Sequence, residues 1–450
     1  MKKFDVVVIG AGPGGYVSAI RAAQLGKTVA VVEKNKLGGT CLNVGCIPSK
    51  TLLKQSELVE EMKQADAWGI KTGSISIDFN QLMKRKDQVV QTLTGGVAHL
   101  LKKNSITIYQ GEARIKEDLT VHIGEEQIKG NDILLATGSK PFVPSIKGLD
   151  EADYVTTDTF FNLKELPKSL VIVGGGVIAV ELASAMAPLG TKVTIIEVAS
   201  DILLTEEHDV RKSLKKKLHE QNIQIVTKAD IRRVKKDKVI LLDQEILFDT
   251  LLVAAGRRSN TEPVKELGLQ MKDRNKFVAV NENYETSKKH VYAVGDLIGD
   301  YQLAHAASAE GIAAVHVIAG DFSKRLNQDE IPRCIYTHPE AASFGLTEEQ
   351  AKKAGYEVRV TKSNISGNSK AITMGKSEGF LKIITETKFQ EILGVFIVGP
   401  NATELIGELL AVKHSEGTVN ELSTVIQPHP SVSEVIGESA DALFQQAIHM

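Results

Sequence analysis

"FDVVVIGAGPGGYVSAIRAAQLGKTVAVVEK", residues 4–34, opens with an apolar β-branched run, turns through glycines at 10, 12 and 15, and ends on an acid at Glu33. The spacing predicts a strand, a tight turn, a helix with small residues on one face and a second strand. That is a βαβ unit of the Rossmann kind. Gly10 permits the turn, Gly12 lets backbone approach a pyrophosphate, and Gly15 lets helix pack on strand. The helix N-terminus then offers free N–H groups to phosphate, and the acid 23 residues after Gly10 accepts from ribose hydroxyls. One such pattern is weak evidence, but it recurs. "SLVIVGGGVIAVELASAMAPLGTKVTIIEVA", residues 169–199, repeats it at an offset of 164, with Gly174, Gly176, Ala179 and Glu197 on Gly10, Gly12, Gly15 and Glu33. Two dinucleotide sites are expected. Glu197, with no Arg in the following "VASDILL", would repel a 2′-phosphate and favours NAD over NADP in the second.

The rest of the composition excludes several classes. With 42% apolar and 24% charged residues in 450, the chain is ordinary globular material, and about 150 residues per domain suggests roughly three domains. A net charge of −2 gives no basic footprint for nucleic acid and no polybasic membrane segment. No apolar run reaches the ~18 residues of a membrane span. The N-terminus lacks the pattern of a signal peptide, so a cytoplasmic protein is expected.

Eight residues after Glu33 comes the first of two cysteines in "GGTCLNVGCIPSK", residues 38–50. If the stretch after Thr40 were an ideal helix, Cys41 and Cys46 would have Cα atoms ~8.7 Å apart, beyond the ~4.4–6.8 Å of a disulfide. A bond would need a distorted helix, which Gly45 and Pro48 permit. Three readings are open. Zinc would want four ligands, and no nearby Cys or His completes the set. An inert buried pair leaves the position beside a nucleotide motif unexplained. A redox pair beside a cofactor accounts for it best. Cys334, in "IPRCIYTHPE", reads as a small core hydrophobe.

"GGTCLNVGCIPSK" following "GAGPGGYVSAIRAAQLG" resembles the flavoprotein disulfide reductases, and among them the dihydrolipoamide dehydrogenases, the E3 components of 2-oxo acid dehydrogenase complexes. The resemblance covers nearly the whole chain through "LLATGS", "VGGGVIAVELA", "AAGRRSNT", "VYAVGD", "LAHAASAEG", "IYTHPEAASFGLTEEQA" and "HPSVSE". It implies an α/β fold in four regions: an FAD domain over 1–142, an NAD domain over 143–270, a central region completing the FAD site over 271–330, and a C-terminal α+β dimerisation domain over 331–450. FAD would take Gly10, Gly12, Gly15 and Glu33, with Ala113, Thr137, Gly138, Asp296, Ala304 and His305 along the rest of the cofactor. NAD would take Gly174, Gly176, Ala179 and Glu197, with Ile231, Gly256 and Arg257 as weaker candidates. For Ile231 a plain core role is an equal reading.

The resemblance also assigns roles in catalysis. Cys41 exchanges with the dithiol substrate, Cys46 faces the flavin, and Lys50 lies by the flavin paired with Glu181. His429, in "HPSVSE", serves as base and Glu434 fixes its tautomer. His429 lies far along the chain from Cys41, and the resemblance implies a homodimer in which it reaches the other subunit's cysteines. An E2 acyltransferase would present the lipoyl group, since no lipoyl domain precedes "MKKFDV". Departures from the pattern are Gln427 for a common His, Ala306 for Lys, Ser259 for Pro, and a loose "SNISGNSKA". Glutathione-type enzymes carry "CVPKK" and an Arg-bearing loop, and mercuric reductases a C-terminal cysteine pair. This chain has "CIPSK", Glu197 and "ADALFQQAIHM" instead. A flavoprotein serving only as a redox sensor is the remaining alternative, against which the intact Cys41, Cys46, His429 and Glu434 set speaks.

Overall fold

The repeat predicts two like units, and the computed structural model, described here for residues 1–274, 276–323 and 326–449, contains them. In the first, β1 (Lys2–Ile9) leads through the glycine turn to α1 (Pro13–Gln24) and β2 (Val29–Glu33), followed by α2 (Gly39–Val44), α3 (Cys46–Gln64) and α4 (Phe79–Lys103). Then come β3 (Thr107–Gln110), β4 (Ala113–Ile115), β5 (Thr120–Ile123), β6 (Glu126–Leu135) and β7 (Ser139–Pro141). The second unit has β8 (Tyr154–Thr156), β9 (Ser169–Val173), α5 (Val177–Met186), β10 (Lys192–Ile196), α6 (His208–Glu220) and β11 (Gln224–Val226). A ribbon of β12 (Ile231–Lys235), β13 (Lys238–Leu241) and β14 (Glu245–Leu247) precedes β15 (Thr250–Val253) and β16 (Arg257–Ser259).

The two parallel sheets share an order, β3-β2-β1-β6 and β11-β10-β9-β15, and a register. Val6 lies opposite Val29 in one, and their equivalents Leu170 and Val193 lie opposite each other in the other. Strands covered on both faces need continuous apolar sequence, which is why "VVVI" and "LVIV" are fully buried. Gly10 and Gly174 both have positive φ, +99° and +118°, and a Cβ on either would run into the carbonyl oxygen of Ala136 or Ala254 on the neighbouring strand. A Cβ at Gly15 would strike the Gly10 carbonyl, whereas its counterpart Ala179 is accommodated and buried.

The sheets differ in where a further parallel strand comes from. Beside β15 it is β8, just upstream. Beside β6 it is a segment that returns after the whole second unit. Following the ribbon of β17 (Met271–Lys272) and β18 (Phe277–Val278), β19 (Val291–Ala293) pairs with β6, and α7 (Ala304–Ile318) packs across α1. The crossing is close because Gly311 and Gly14 face each other there, with Ser18 between.

The last region is an antiparallel sheet. It contains β20 (Arg333–Ile335), β21 (Glu340–Gly345), α8 (Glu348–Lys353), β22 (Val358–Asn364), α9 (Ser369–Thr373), β23 (Phe380–Glu386) and β24 (Ile392–Gly399). Three helices follow, α10 (Ala402–His414), α11 (Val419–Thr424) and α12 (Glu434–Leu443). Alternation along β24 splits its side chains between two cores: Phe396 and Val398 join the second unit with Leu182 and Met186, while Val395 and Ile397 pack with Leu405 and Ile436 of the region's own helices. The sheet is therefore cemented to the second unit.

Gly10→Ala combines a left-handed backbone with a steric clash, so it should cost about 3 kcal/mol or more and lower the thermal midpoint by several degrees. Gly12→Ala should stay near wild type when both are melted free of cofactor, since φ there is −71° and the nearest atom to a new Cβ is Gly39 Cα at 3.9 Å. Equal midpoints for the two variants in a melting experiment would contradict this reading of the turn.

Candidate active site

The glycine turns of both units open into one cavity of about 2140 Å³. Its wall runs from Gly10, Gly12 and Glu33 past Cys41, Cys46 and Lys50 to Glu181, Gly174, Gly176 and Glu197. Ala113, Thr137, Gly138, Asp296, Ala304 and His305 line it on the side of the first unit, and Ile231, Gly256 and Arg257 on the side of the second. Gly15 and Ala179 are not on the wall; they sit inside the helix–strand packing, as their spacing requires. Ile231 thus stands at the cavity edge and is only partly buried.

Both helices that point at this cavity begin on a glycine without a side-chain cap, Gly12 for α1 and Gly176 for α5. Their first N–H groups are left for a ligand, and neither glycine would be crowded by its surroundings. Such a cradle fits a pyrophosphate at each end. The acids do more than the sequence pattern foretold. Glu33 accepts from Ala11 N and Asn35 N, each at 2.7 Å; Glu197 accepts from Gly175 N at 2.6 Å and Ala199 N at 2.7 Å. Each carboxylate braces its own glycine turn while keeping lone pairs for a ribose.

The cysteines sit where helix geometry fails. Gly45, at φ −131° and ψ −109°, separates α2 from α3, so Cys41 lies within one short helix and Cys46 starts the next. Asn43 locks the first of these by donating to the carbonyls of Leu37 and Gly39, both at 2.9 Å. Pro48 falls in the first turn of α3, where a missing N–H is harmless. Both residues are thiols here, and their side chains are hydrogen-bonded to each other. That bond from Cys41 lowers the Cys46 thiol to about 7, with the Lys50 ammonium adding to it against the effect of burial. The same bond, with burial, pushes Cys41 up. The pair is therefore asymmetric, with the thiolate favoured at Cys46 over Cys41.

Lys50, one turn along α3, places Nζ 2.8 and 3.1 Å from the two carboxylate oxygens of Glu181 on α5. Glu181 is only 4% exposed and accepts a further bond from Tyr336 N at 3.0 Å, while Lys50 lies 4.4 Å over the Tyr336 ring. Tyr336 belongs to the last region, and no local signal marked it.

Arg257 turns out to be committed elsewhere. Its guanidinium donates to Ser139 Oγ at 2.7 Å, to the Ser139 carbonyl at 2.8 Å, and to Thr157 and Asp158 at 3.3 Å each, leaving the side chain 12% exposed. It staples the two units together. Ser139 in turn donates to Asp296, and Ser259 donates to the Asp296 carbonyl at 2.8 Å. Asn260 pairs with Thr137 and Gly138 in the same seam. His305, at the start of α7, is held by the Pro332 carbonyl at 2.7 Å.

His429 is not brought to the cysteines within one chain. It stands on the surface of the last region, 74% exposed, with Nδ1 2.8 Å from Glu434 Oε1. Glu434 is fixed by Ser431 N at 2.9 Å and held below the usual carboxylate range by that bond and by the imidazole. Close by, the Ile426 side chain is 96% exposed. Among the described residues, no cluster of three or more His, Cys, Asp or Glu could hold a metal, and no helix is long and apolar enough to cross a membrane.

Comparison with known proteins bears on the same two halves. Residues 4–311 match the model of the pyridine nucleotide-disulphide oxidoreductases, and residues 331–440 match the dimerisation domain of the same proteins. The chain belongs to this family. It is 41% identical to a dihydrolipoyl dehydrogenase of Bacillus subtilis over 99% of both chains, and 40% identical to one of Thermus scotoductus over 100% of this chain and 99% of that one. The solved HOCl-induced flavoprotein disulfide reductase RclA from Escherichia coli superposes with a TM-score of 0.87 at 27% identity, covering 97% of this chain and 99% of that one. The protein is thus an α/β oxidoreductase with FAD and NAD as cofactors, and its dimerisation domain supports a homodimer.

At Cys46 the Lys50 ammonium outweighs the Glu181 carboxylate. The double variant Lys50→Met with Glu181→Gln, which leaves no orphaned charge, should therefore move the midpoint of Cys46 alkylation in the reduced protein above about 7. An unchanged pH profile of iodoacetamide labelling would refute the electrostatic link.

Proposed function

We propose that the chain is a dihydrolipoyl dehydrogenase, the E3 component of a 2-oxo acid dehydrogenase complex, acting in the cytoplasm on lipoyl groups presented by an E2 acyltransferase. The observation that carries this is the placement of the cysteine pair: Cys41 on α2 and Cys46 at the start of α3 stand together in the wall of a cavity with a dinucleotide cradle at each end. The full-length similarity to dihydrolipoyl dehydrogenases supports the choice of dithiol.

Turnover starts from the Cys41–Cys46 disulfide. His429, its imidazole oriented by Glu434, takes a proton from one thiol of dihydrolipoamide, and the resulting thiolate attacks Cys41 Sγ. The S–S bond breaks and Cys46 leaves as thiolate, for which its lowered pKa suits it. The second substrate thiol then attacks the mixed disulfide, its proton passing to the Cys41 sulfur as that sulfur leaves; lipoamide is released, with Cys41 a thiol, Cys46 a thiolate and the first proton on His429. Gly10, Gly12 and Glu33, with Asp296 and Ala304 further along, would hold FAD, which when bound would supply the relay of that electron pair as hydride to NAD+. Lys50 and Glu181 hold the walls of the two nucleotide sites together at the point of transfer. Gly174, Gly176 and Glu197 orient the acceptor.

The exposed His429 becomes intelligible if it serves the partner's cysteines. Coexpressing Cys41→Ser with His429→Ala chains should give mixed dimers retaining one intact site, hence about half of wild-type NADH formation from dihydrolipoamide. Each single-variant homodimer should lose about 10²–10⁴-fold or more. Inactive mixed dimers would remove the cross-subunit role. A yellow, dimeric wild type that forms no NADH would remove the proposed activity altogether.

A further inference from the structure

We infer that Glu310 is a positioning residue for the flavin site: from α7 it holds the Gly295–Asp296 turn against the first sheet and so governs retention of FAD. Its Oε2 accepts from Gly295 N at 2.7 Å, immediately before Asp296. The residue is 1% exposed, and its other oxygen, Oε1, is buried with no hydrogen-bond partner. A buried carboxylate with an unsatisfied oxygen costs stability, so something at this position needs an acid rather than an apolar side chain. The need is visible in the backbone. Gly295 has φ +72°, and a Cβ there would press on Ala307 at 3.1 Å, so the turn is reached only through glycine, and Glu310 is the side chain that takes its Gly295 N–H. It carries Asp296 into the Ser139–Arg257 seam and into the cavity wall.

The groups around Glu310 make this anchor sensitive to pH. Asp296 and Asp300 flank it from the turn and the following loop, Tyr284 interacts with it from another loop, and Lys272 of β17 bears on it as a cation. Helix α1, packed across α7, presents Gly14 and Ser18 there and no charge. On α7 itself, His305 and His316 are engaged by the Pro332 carbonyl and Asp321. Burial, reinforced by Asp300 and Asp296, raises the Glu310 carboxyl from the ordinary 4.5 to about 7. Raised in the folded state, it favours the neutral acid: its contribution is full below about 4.5 and is lost as pH rises through about 7. Above that range a buried negative charge faces two aspartates across the turn.

The inference rests on FAD meeting Asp296 as proposed, and the test separates the two. Holoenzyme is diluted at pH 6 and pH 8, and release of FAD is followed by the rise of free-flavin fluorescence. Wild type should release FAD several-fold faster at pH 8. Glu310→Gln, whose amide carbonyl still accepts from Gly295 N and which mimics the neutral acid, should show nearly equal rates. Cys46 titrates in the same range but is unchanged between these two proteins, so the difference isolates Glu310. Glu310→Ala should release FAD faster at both pH values. A Glu310→Gln protein with the wild-type pH ratio, or a Glu310→Ala protein that folds and retains FAD like wild type, overturns the inference. Should Glu310→Ala not fold, the Glu310→Gln ratio decides. A wild type that binds no FAD would instead overturn the cofactor placement.

Discussion

Glu181 is where three parts of the chain meet. Its carboxylate sits on α5 of the second unit, grips Lys50 from α3 of the first, and accepts a backbone bond from Tyr336 of the last region. A carboxylate this deeply buried persists only if its charge is matched and its lone pairs are used, and breaking such a pair by removing one partner typically costs about 3–5 kcal/mol. Lys50 lies one turn from Cys46. The constraint that fixes the orientation of the two nucleotide units therefore also sets the charge beside the redox pair, and packing and chemistry share the same atoms.

The second constraint is the seam around Arg257. A guanidinium tied to Ser139, Thr157 and Asp158 joins the end of the first sheet to the start of the second, and its neighbours Asp296 and Ser259 draw in the segment that returns through β19. This explains how a strand from residues 291–293 can complete a sheet begun at residue 2. The second unit is inserted into the first, and the seam closes the insertion.

Much of this was legible in the sequence, for identifiable reasons. The glycine turns could be read because backbone geometry at Gly10 and Gly174 tolerates nothing else, and the repeat at a fixed offset carried through to an identical strand register. The cysteine pair could be read because five residues along a helix is the wrong distance, which forces the break found at Gly45. What could not be read was long-range. Resemblance placed Arg257 as a weaker nucleotide candidate, and nothing local showed that it would line the cavity while also donating to Ser139, over a hundred positions away, and to Thr157 and Asp158. Tyr336 and Glu310 lie within quoted motifs, "IYTHPEAASFGLTEEQA" and "LAHAASAEG", yet nothing there singled them out, because their importance comes from what folds against them. His429 was legible only by resemblance: within one chain it is exposed and absent from the wall of the site that it is proposed to serve.

The central claim is that Cys46 is a thiolate held against the flavin, with Cys41 as the exchanging thiol. Its most direct test is the absorption spectrum of the FAD-bound protein during anaerobic two-electron reduction by dihydrolipoamide. The account predicts a long-wavelength charge-transfer band in the wild type that is abolished in Cys46→Ser and retained, on the unreduced protein near neutral pH, in Cys41→Ser. A band that persists without Cys46, or that depends on Cys41 alone, would contradict it.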